Sequence, residues 1–501
     1  MAPSVDQWSI WQLILIAVIS LLVIRWIYRT LWQIKHFPPG PWGLPILGYL
    51  PWIDVKAHVS FDKLKEKYGS IYSIKLGAKT VVILADWASV KATLVDQNQI
   101  FSGRPPSRTF DVATQRSTVS FSDGEVWKNQ RRLTVKCLRN VGMGRKTMED
   151  MVIDSVHDIM EFLKSQDNKV ICMNSVFFKP LLNNVWKLTA SHEVAGSKDD
   201  DQFEDAVNKI ICSIRNNNPV NFFSWLRFAP PNGFGYWEFI RDNKRLWGYL
   251  KKEIDKHIQN WKAGNEQDFI DEYISAIKKH ESQPNAKPEG HLTYKRLNAT
   301  LWDLFVAGVD TTNATTLWGM LYLIVFPEVQ KKVQEELDRE IGRERLPSLD
   351  DMPRLPYLDA FIMETHRYAS ISRLSLAHCP TKTTKVLGYT IPKGTPCFQC
   401  IYGVHRDPKI WKDPFAFRPE RFIDENNEAK WPQYLMPYSI GPRACIGEQV
   451  AQMELQLIFG CLLHTFNFSA PPGKPTPTLE PEIALVQRPR PYSLLIQIRK
   501  D

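Results

Sequence analysis

Tyr438-Ser439-Ile440-Gly441-Pro442-Arg443-Ala444-Cys445-Ile446-Gly447-Glu448 is the stretch from which the rest of this chain can be read. It holds one cysteine, an arginine two residues before it, and two glycines, Gly441 and Gly447, that let the backbone turn and come close to a ligand. A thiolate stays deprotonated only where positive charge or N–H groups surround it. A Gly-rich turn that opens into a helix supplies such groups. A flat ligand lying on this loop would have the Cys445 sulfur beneath its metal and the Arg443 guanidinium at its anionic edge. A buried structural cysteine in a tight turn fits the bare string as well. The remainder of the chain decides between them.

At 501 residues the chain is long enough for a large core around an enclosed cofactor. With 44% hydrophobic and 23% charged residues it has the make-up of an ordinary folded protein. The formal charge of +9 is spread along the chain without basic, aromatic-interleaved blocks, which excludes nucleic acid and suits an anionic membrane or an acidic partner. Eight cysteines are too sparse for a disulfide framework, so Cys137, Cys172, Cys212 and Cys461 are expected to be reduced. The run Cys397-Phe398-Gln399-Cys400, even with His378-Cys379 upstream, lacks the second pair of a zinc knuckle and reads as strand.

Trp8 to Ile27 is apolar, broken only by Gln12, Ser20 and Arg25, and about the 20 residues a bilayer span requires. Met1–Gln7 carries Asp6 and no Lys or Arg, and no small-residue cleavage site follows, so an uncleaved anchor is expected over a signal peptide. Arg25, Arg29 and Lys35 come after the span, which puts the body on the cytoplasmic side. Three parts are expected: an anchor over 1–30, a stiff proline-rich hinge over 31–48 (with Pro38-Pro39-Gly40-Pro41) and one domain over 49–501.

Within that domain Ser70–Leu76 and Thr80–Leu84 form a hairpin around Gly77-Ala78, and helical periodicity runs from there to about Gly342. Gly264–Thr293 reads as a solvated helix and a loop. Strands are expected at Thr384–Leu387, Cys397–Ile401, Ile483–Leu485 and Ser493–Ile498. An irregular stretch spans Asp407–Pro437, and a helix runs from Glu448 to Phe466. The densely aromatic Asn221–Pro231 is either core or a second contact with the bilayer interface.

Three constellations carry chemistry. Ala307-Gly308-Val309-Asp310-Thr311-Thr312 interrupts an apolar helical pattern with a glycine, which costs about 1 kcal/mol against alanine, and with groups able to relay protons. Its use would be a widened turn where a bound molecule meets the backbone. Trp127 and Arg131, at i and i+4, place an indole N–H and a guanidinium on one helix face, a donor pair suited to a carboxylate. Glu364 and Arg367, at i and i+3, share a face upstream of Pro419-Glu420-Arg421-Phe422. Lys128, Arg132, Lys136, Arg139, Arg145 and Lys146 form either a solvated face or a docking patch for an acidic partner. No G-x-G-x-x-G opens a helix, so electrons would have to come from elsewhere.

The cysteine loop resembles the haem-binding signature of the cytochrome P-450 superfamily, F-x-x-G-x-R-x-C-x-G, with Tyr438 where the family carries Phe. The other motifs follow in the family's order across nearly the whole chain. Leu138-Arg139-Asn140-Val141-Gly142-Met143-Gly144 and Gln267-Asp268-Phe269-Ile270-Asp271 look like family 2 of the animal microsomal enzymes. The resemblance implies a mainly α fold with small β-sheets (α+β), preceded by one transmembrane helix. It implies haem b with an axial thiolate from Cys445, bordered by Ala307, Gly441 and Gly447, and a propionate cage of Arg104, Trp127, Arg131, His378 and Arg443. Asp310 and Thr311 would deliver protons to the oxygen under activation. Glu364, Arg367 and Arg421 would form a buried network that secures the cysteine region. Arg373 stands where family-2 enzymes carry proline, facing either the substrate or the haem edge.

The implied reaction is monooxygenation of a lipophilic small molecule with O2 and electrons from NADPH-cytochrome P-450 reductase, and cytochrome b5 as a second donor, at the endoplasmic reticulum membrane. A haem-thiolate isomerase or dehydratase of peroxides and a non-catalytic haem or lipid carrier are the alternatives.

Overall fold

The computed structural model describes residues 10–54, 56–144, 146–192, 198–215, 219–282, 292–482 and 484–500. The chain divides into two units, Met1–Pro105 with Ala377–Gln399, and Pro106–Leu376 with Cys400–Asp501.

The first unit opens with a helix over Ile10–His36. Its stretch Trp11–Tyr28 is long and apolar enough to cross a membrane, and none of it is buried against the protein. Trp8 and Ser9, the start of the expected span, lie outside the described residues. The proline-rich segment that follows is extended and is tied to the first strand: Ser73 donates its hydroxyl to the Pro38 carbonyl (2.7 Å) and its N–H to Pro39 (2.9 Å). Gly40 is required there, because a Cβ would fall on the Ser73 carbonyl oxygen. Ile71–Leu76 and Lys79–Leu84 make the expected antiparallel hairpin, and Cys397–Gln399 adds in parallel to Val82–Leu84. Thr384–Val386 and Tyr389–Ile391 form a separate hairpin.

The second unit is helical around a central helix, Tyr294–Val325, whose side chains are buried along most of its 32 residues. Thr293 caps its N-terminus by accepting from the Arg296 N–H, and Pro327 opens the next helix directly after Phe326. The helix Pro356–Ala369 begins where the buried carboxylate of Glu336 accepts the N–H groups of Tyr357 and Leu358 (2.8 and 2.9 Å), satisfying donors that a helix start leaves open. The helix after the cysteine loop, Glu448–Thr465, packs on the central helix. A Cβ at Gly319 of the central helix would lie 2.2 Å from the Phe459 ring, which is itself fully buried and held edge-on by Phe361. A mixed-origin sheet, Val170–Cys172, Ser493–Ile498 and Phe466–Ser469, closes the unit with the C-terminal strand in the middle.

Several expectations are corrected. Strand pairing at the tail falls on Pro481–Glu482 and Arg488–Pro489, while Ala484 and Leu485 bend and Ile483 lies outside the described residues. Ile401 starts a short helix, Ile401–His405, and does not extend the strand. The helix in Gly264–Thr293, Phe269–Glu281, is not solvated: Phe269, Ile270, Tyr273, Ile274 and Ile277 are buried in the core. Residues 283–291 lie outside the described ones. The aromatic segment is exposed at Trp225 and Phe228, which sets aside core packing for those two rings. All eight cysteines are free thiols.

Candidate functional site

Cys445 sits at the end of a loop that folds back on itself. Its N–H donates to the Tyr438 carbonyl (2.9 Å), and the Ala444 N–H to Gly441 (3.0 Å). The loop passes through left-handed backbone at Ser439 (φ 60°) and Gly441 (φ 79°), which is why a glycine stands at the second position. The sulfur is accessible, yet enough protein surrounds it for burial to push the thiol pKa up. The Gly447 N–H, which donates to the sulfur, and the positive charge of Arg131 pull the other way, while Glu448 adds to the rise. On balance the bare thiol stays protonated, and a bound cation would be needed to draw it into the thiolate form.

The helix Gly124–Asn140 brings Trp127 and Arg131 to the same region. The Arg443 guanidinium lies over the Trp127 ring, 3.9 Å from its centroid, and donates to the carbonyls of Val119 (3.1 Å) and Ser122 (2.6 Å). Trp127 Nε1 is buried with no hydrogen-bond partner among the described residues. Leaving such a donor unmet costs on the order of 1–3 kcal/mol. An orphaned indole N–H beside two guanidinium groups fits the propionate edge of a haem, and the donor set at Cys445 fits its iron. On the opposite, exposed side of the same helix stand Lys128, Arg132, Lys136 and Arg139, with Lys146 exposed on the next helix; Arg145 lies outside the described residues.

The central helix runs unbroken through Ala307–Thr312, in place of the expected widened turn. Ala307 is exposed in the middle of a buried helix, whereas the missing side chain of Gly308 serves packing, since a Cβ there would reach the Val185 methyl at 3.3 Å. Thr311 is partly exposed and donates its hydroxyl to the Ala307 carbonyl (2.8 Å), so the same oxygen keeps its lone pairs for a donor from the open side. Asp310 is buried and paired with Arg488. Asp303, about two turns earlier, accepts from the Ser120 N–H (2.8 Å), and burial raises its carboxyl pKa to about 7. Burial likewise raises Glu454 to about 7, although Asn184 and Thr312 donate to it.

Glu364 and Arg367 are fully buried. Arg367 donates through Nε and Nη2 to the Glu364 carboxylate (2.6 and 2.7 Å) and through its remaining N–H groups to the carbonyls of His405, Pro414 and Ala416. Glu364 also accepts from the Arg418 N–H (2.7 Å) and from Arg421 Nε (3.3 Å). Every donor of the Arg367 fork is therefore used, a closed network of the kind that survives burial. Arg373 lies over the Tyr402 ring at 5.1 Å.

In the first unit, Arg104 donates to the Ala377 carbonyl (2.9 Å), and His378 shares Nδ1 with the Phe101 carbonyl (2.9 Å) and Nε2 with the Gln399 amide (3.2 Å). The two residues join the same pair of segments, which also bridge at Gly103 and Cys379. Sequence reasoning missed Arg488, Asp303, Glu454 and the partner of Tyr438, which is His366 at 3.2 Å from the phenol oxygen. Of these only His366 carried a nearby signal, its place inside Glu364-Thr365-His366-Arg367. Among the described residues one cluster has metal-ligand spacing, His257, Asp268 and Asp271. There His257 Nε2 lies 3.0 Å from Asp268, an ion pair within the fold and no open coordination site.

The sequence model of the family described as Cytochrome P450 matches residues 38–496. The chain is 30% identical over 495 residues to cytochrome P450 18a1 of Drosophila melanogaster, covering 97% of this chain and 91% of that one. It is 32% identical to human cytochrome P450 2U1 (97% and 93% covered) and 32% identical to human cytochrome P450 2J2 (87% and 86%). The chain belongs to the cytochrome P450 family. It is a haem monooxygenase that resembles the animal family-2 enzymes, and its cofactor is haem b held by a cysteine thiolate.

Proposed function

We propose that Cys445 supplies that thiolate and that the chain is a membrane-anchored enzyme which inserts one atom of O2 into a lipophilic substrate, using electrons that NADPH-cytochrome P450 reductase delivers. The observation that carries the reading is the pairing of a sulfur that receives the Gly447 N–H with an orphaned Trp127 N–H beneath Arg443. Bound haem supplies the oxygen-activating redox chemistry. The protein's own share is orientation and proton supply. Trp127, Arg131 and Arg443 receive a carboxylate edge and so set how the macrocycle is turned. The Gly447 N–H and Arg131 hold negative charge on the sulfur. Thr311, with its hydroxyl already given to Ala307, accepts a proton donor at its oxygen, and Asp310, reached through Arg488, resupplies protons from the outer side. Ala307 presents a bare methyl where substrate passes the helix. The roles of Arg104 and His378 follow from the resemblance alone.

The helix Ile10–His36 serves as a single-pass anchor in the endoplasmic reticulum membrane, with Arg25, Arg29 and Lys35 keeping the body in the cytoplasm. The exposed Trp225 and Phe228 make a second contact with the bilayer interface. The exposed basic side of the Gly124–Asn140 helix receives the acidic reductase and, in turn, cytochrome b5. A peroxide isomerase would turn over without NADPH, which separates that alternative. The test is Cys445→Ser in full-length protein reconstituted with reductase. The strongly red-shifted band of the reduced carbon monoxide complex and NADPH-dependent product should both disappear. Retention of either removes Cys445 from the site.

A further inference from the structure

The family's haem loop carries Phe where this chain has Tyr438, and the structure gives the added hydroxyl a specific use. The phenol oxygen lies 3.2 Å from Nε2 of His366, with the two rings edge-on at 5.2 Å between centroids. Trp431 stacks on the Tyr438 ring at 6.1 Å and covers one face of it. His366 is buried between Glu364 and Arg367 on the helix that the closed ion network immobilises. Burial keeps the imidazole neutral, its pKa lowered to about 3, and holds the phenol protonated by raising its pKa. With both groups uncharged, one hydrogen bond joins them, and the imidazole tautomer sets which of the two is the donor.

The backbone of Tyr438 works in the other direction. Its carbonyl accepts the Cys445 N–H, and the next residue, Ser439, holds a left-handed φ that a non-glycine side chain adopts only under constraint. Two residues earlier the Met436 N–H donates to Nε2 of a second buried histidine, His405 (3.0 Å). The chain before the cysteine thus hangs from two imidazoles, and the one at Tyr438 exists only because Tyr replaces Phe.

We propose that Tyr438 and His366 form a matched positioning pair that fixes the Cys445 loop on the Glu364–Arg367 helix, each satisfying a polar group that the other would leave buried and unmet. The pair acts on the cysteine through the Tyr438 carbonyl and touches no substrate. The inference rests on Cys445 being the thiolate ligand.

A double-mutant cycle in the haem-loaded, full-length protein tests it. The readouts are the rate at which the reduced carbon monoxide complex loses its thiolate band and the rate of haem loss to a scavenger. Tyr438→Phe and His366→Leu should each speed the two losses about tenfold, because each leaves one buried polar group unmet. The double variant should return to within about twofold of the parent, and His366→Gln, which retains an acceptor, should stay near the parent with Tyr438 present. If His366→Leu does not fold, Tyr438→Phe against His366→Gln gives the same contrast. Additive losses in the double variant, or Tyr438→Phe matching the parent, overturn the pair while the thiolate band itself remains. Absence of that band from the parent protein would instead overturn the Cys445 reading.

Discussion

The helix Pro356–Ala369 and the central helix Tyr294–Val325 are packed against each other in one unit, and both carry charge into the interior. On the first, Glu364 and Arg367 are sealed from solvent, and every guanidinium hydrogen goes to a carboxylate or a carbonyl. On the second, Ala307 and Thr311 remain accessible, and Asp310 is held by one arginine from the C-terminal hairpin. A closed network can only be lost whole, because removing a member leaves its partners uncompensated. An open face can be altered without unfolding the helix that bears it. One helix is built to stay as it is and its neighbour to be used.

The strongest way to break this contrast is Glu364→Ala. It leaves the Arg367 charge buried and unmatched, and is expected to cost about 3–5 kcal/mol, enough that little haem-loaded protein accumulates. Normal haem content in that variant would show that the network is dispensable. Thr311→Ala should do the reverse, with folding and haem content unchanged and hydrogen peroxide released per NADPH raised a few-fold. Unchanged coupling would place proton supply elsewhere. The smallest effect sharpens the comparison by moving outside both helices. At His257 burial alone would lower the pKa, but the hydrogen bond to Asp268 and its charge raise it to about 9. That contribution is present in full below the unfolded value near 6.5 and lost as pH climbs through about 9. Urea midpoints should therefore fall steadily between pH 6.5 and 9, and His257→Gln should flatten the slope. An equal slope in that variant would assign the pH dependence to other groups.

Much of this was legible wherever the signal is local. The turn spacing of Trp127 and Arg131, the Glu364–Arg367 spacing, the hairpin about Gly77 and the strand Ser493–Ile498 all appear where the residues suggested. The Asp310–Arg488 pair joins positions 178 residues apart, and neither sequence neighbourhood hints at the other. Tyr438 stands out in its loop, but the partner of its hydroxyl lies 72 residues upstream. The Phe269–Glu281 helix was misjudged because Asp271, Glu272, Lys278 and Lys279 mask an apolar stripe that recurs at helical spacing. Ile401 reads as strand because its β-branched side chain favours one, whereas the backbone there already turns into helix.

Gly319 lies about two turns beyond Thr311, and Phe459 belongs to the helix that Cys445 leads into. With 2.2 Å between the ring and the place a methyl carbon would occupy, and the ring pinned from behind, the two helices meet with no spacer. The separation between the sulfur-bearing side and the hydroxyl-bearing side is thus gauged by a hydrogen atom. Even alanine at that position would force the two helices apart, and with them the face that bears Thr311 and the loop that ends at Cys445.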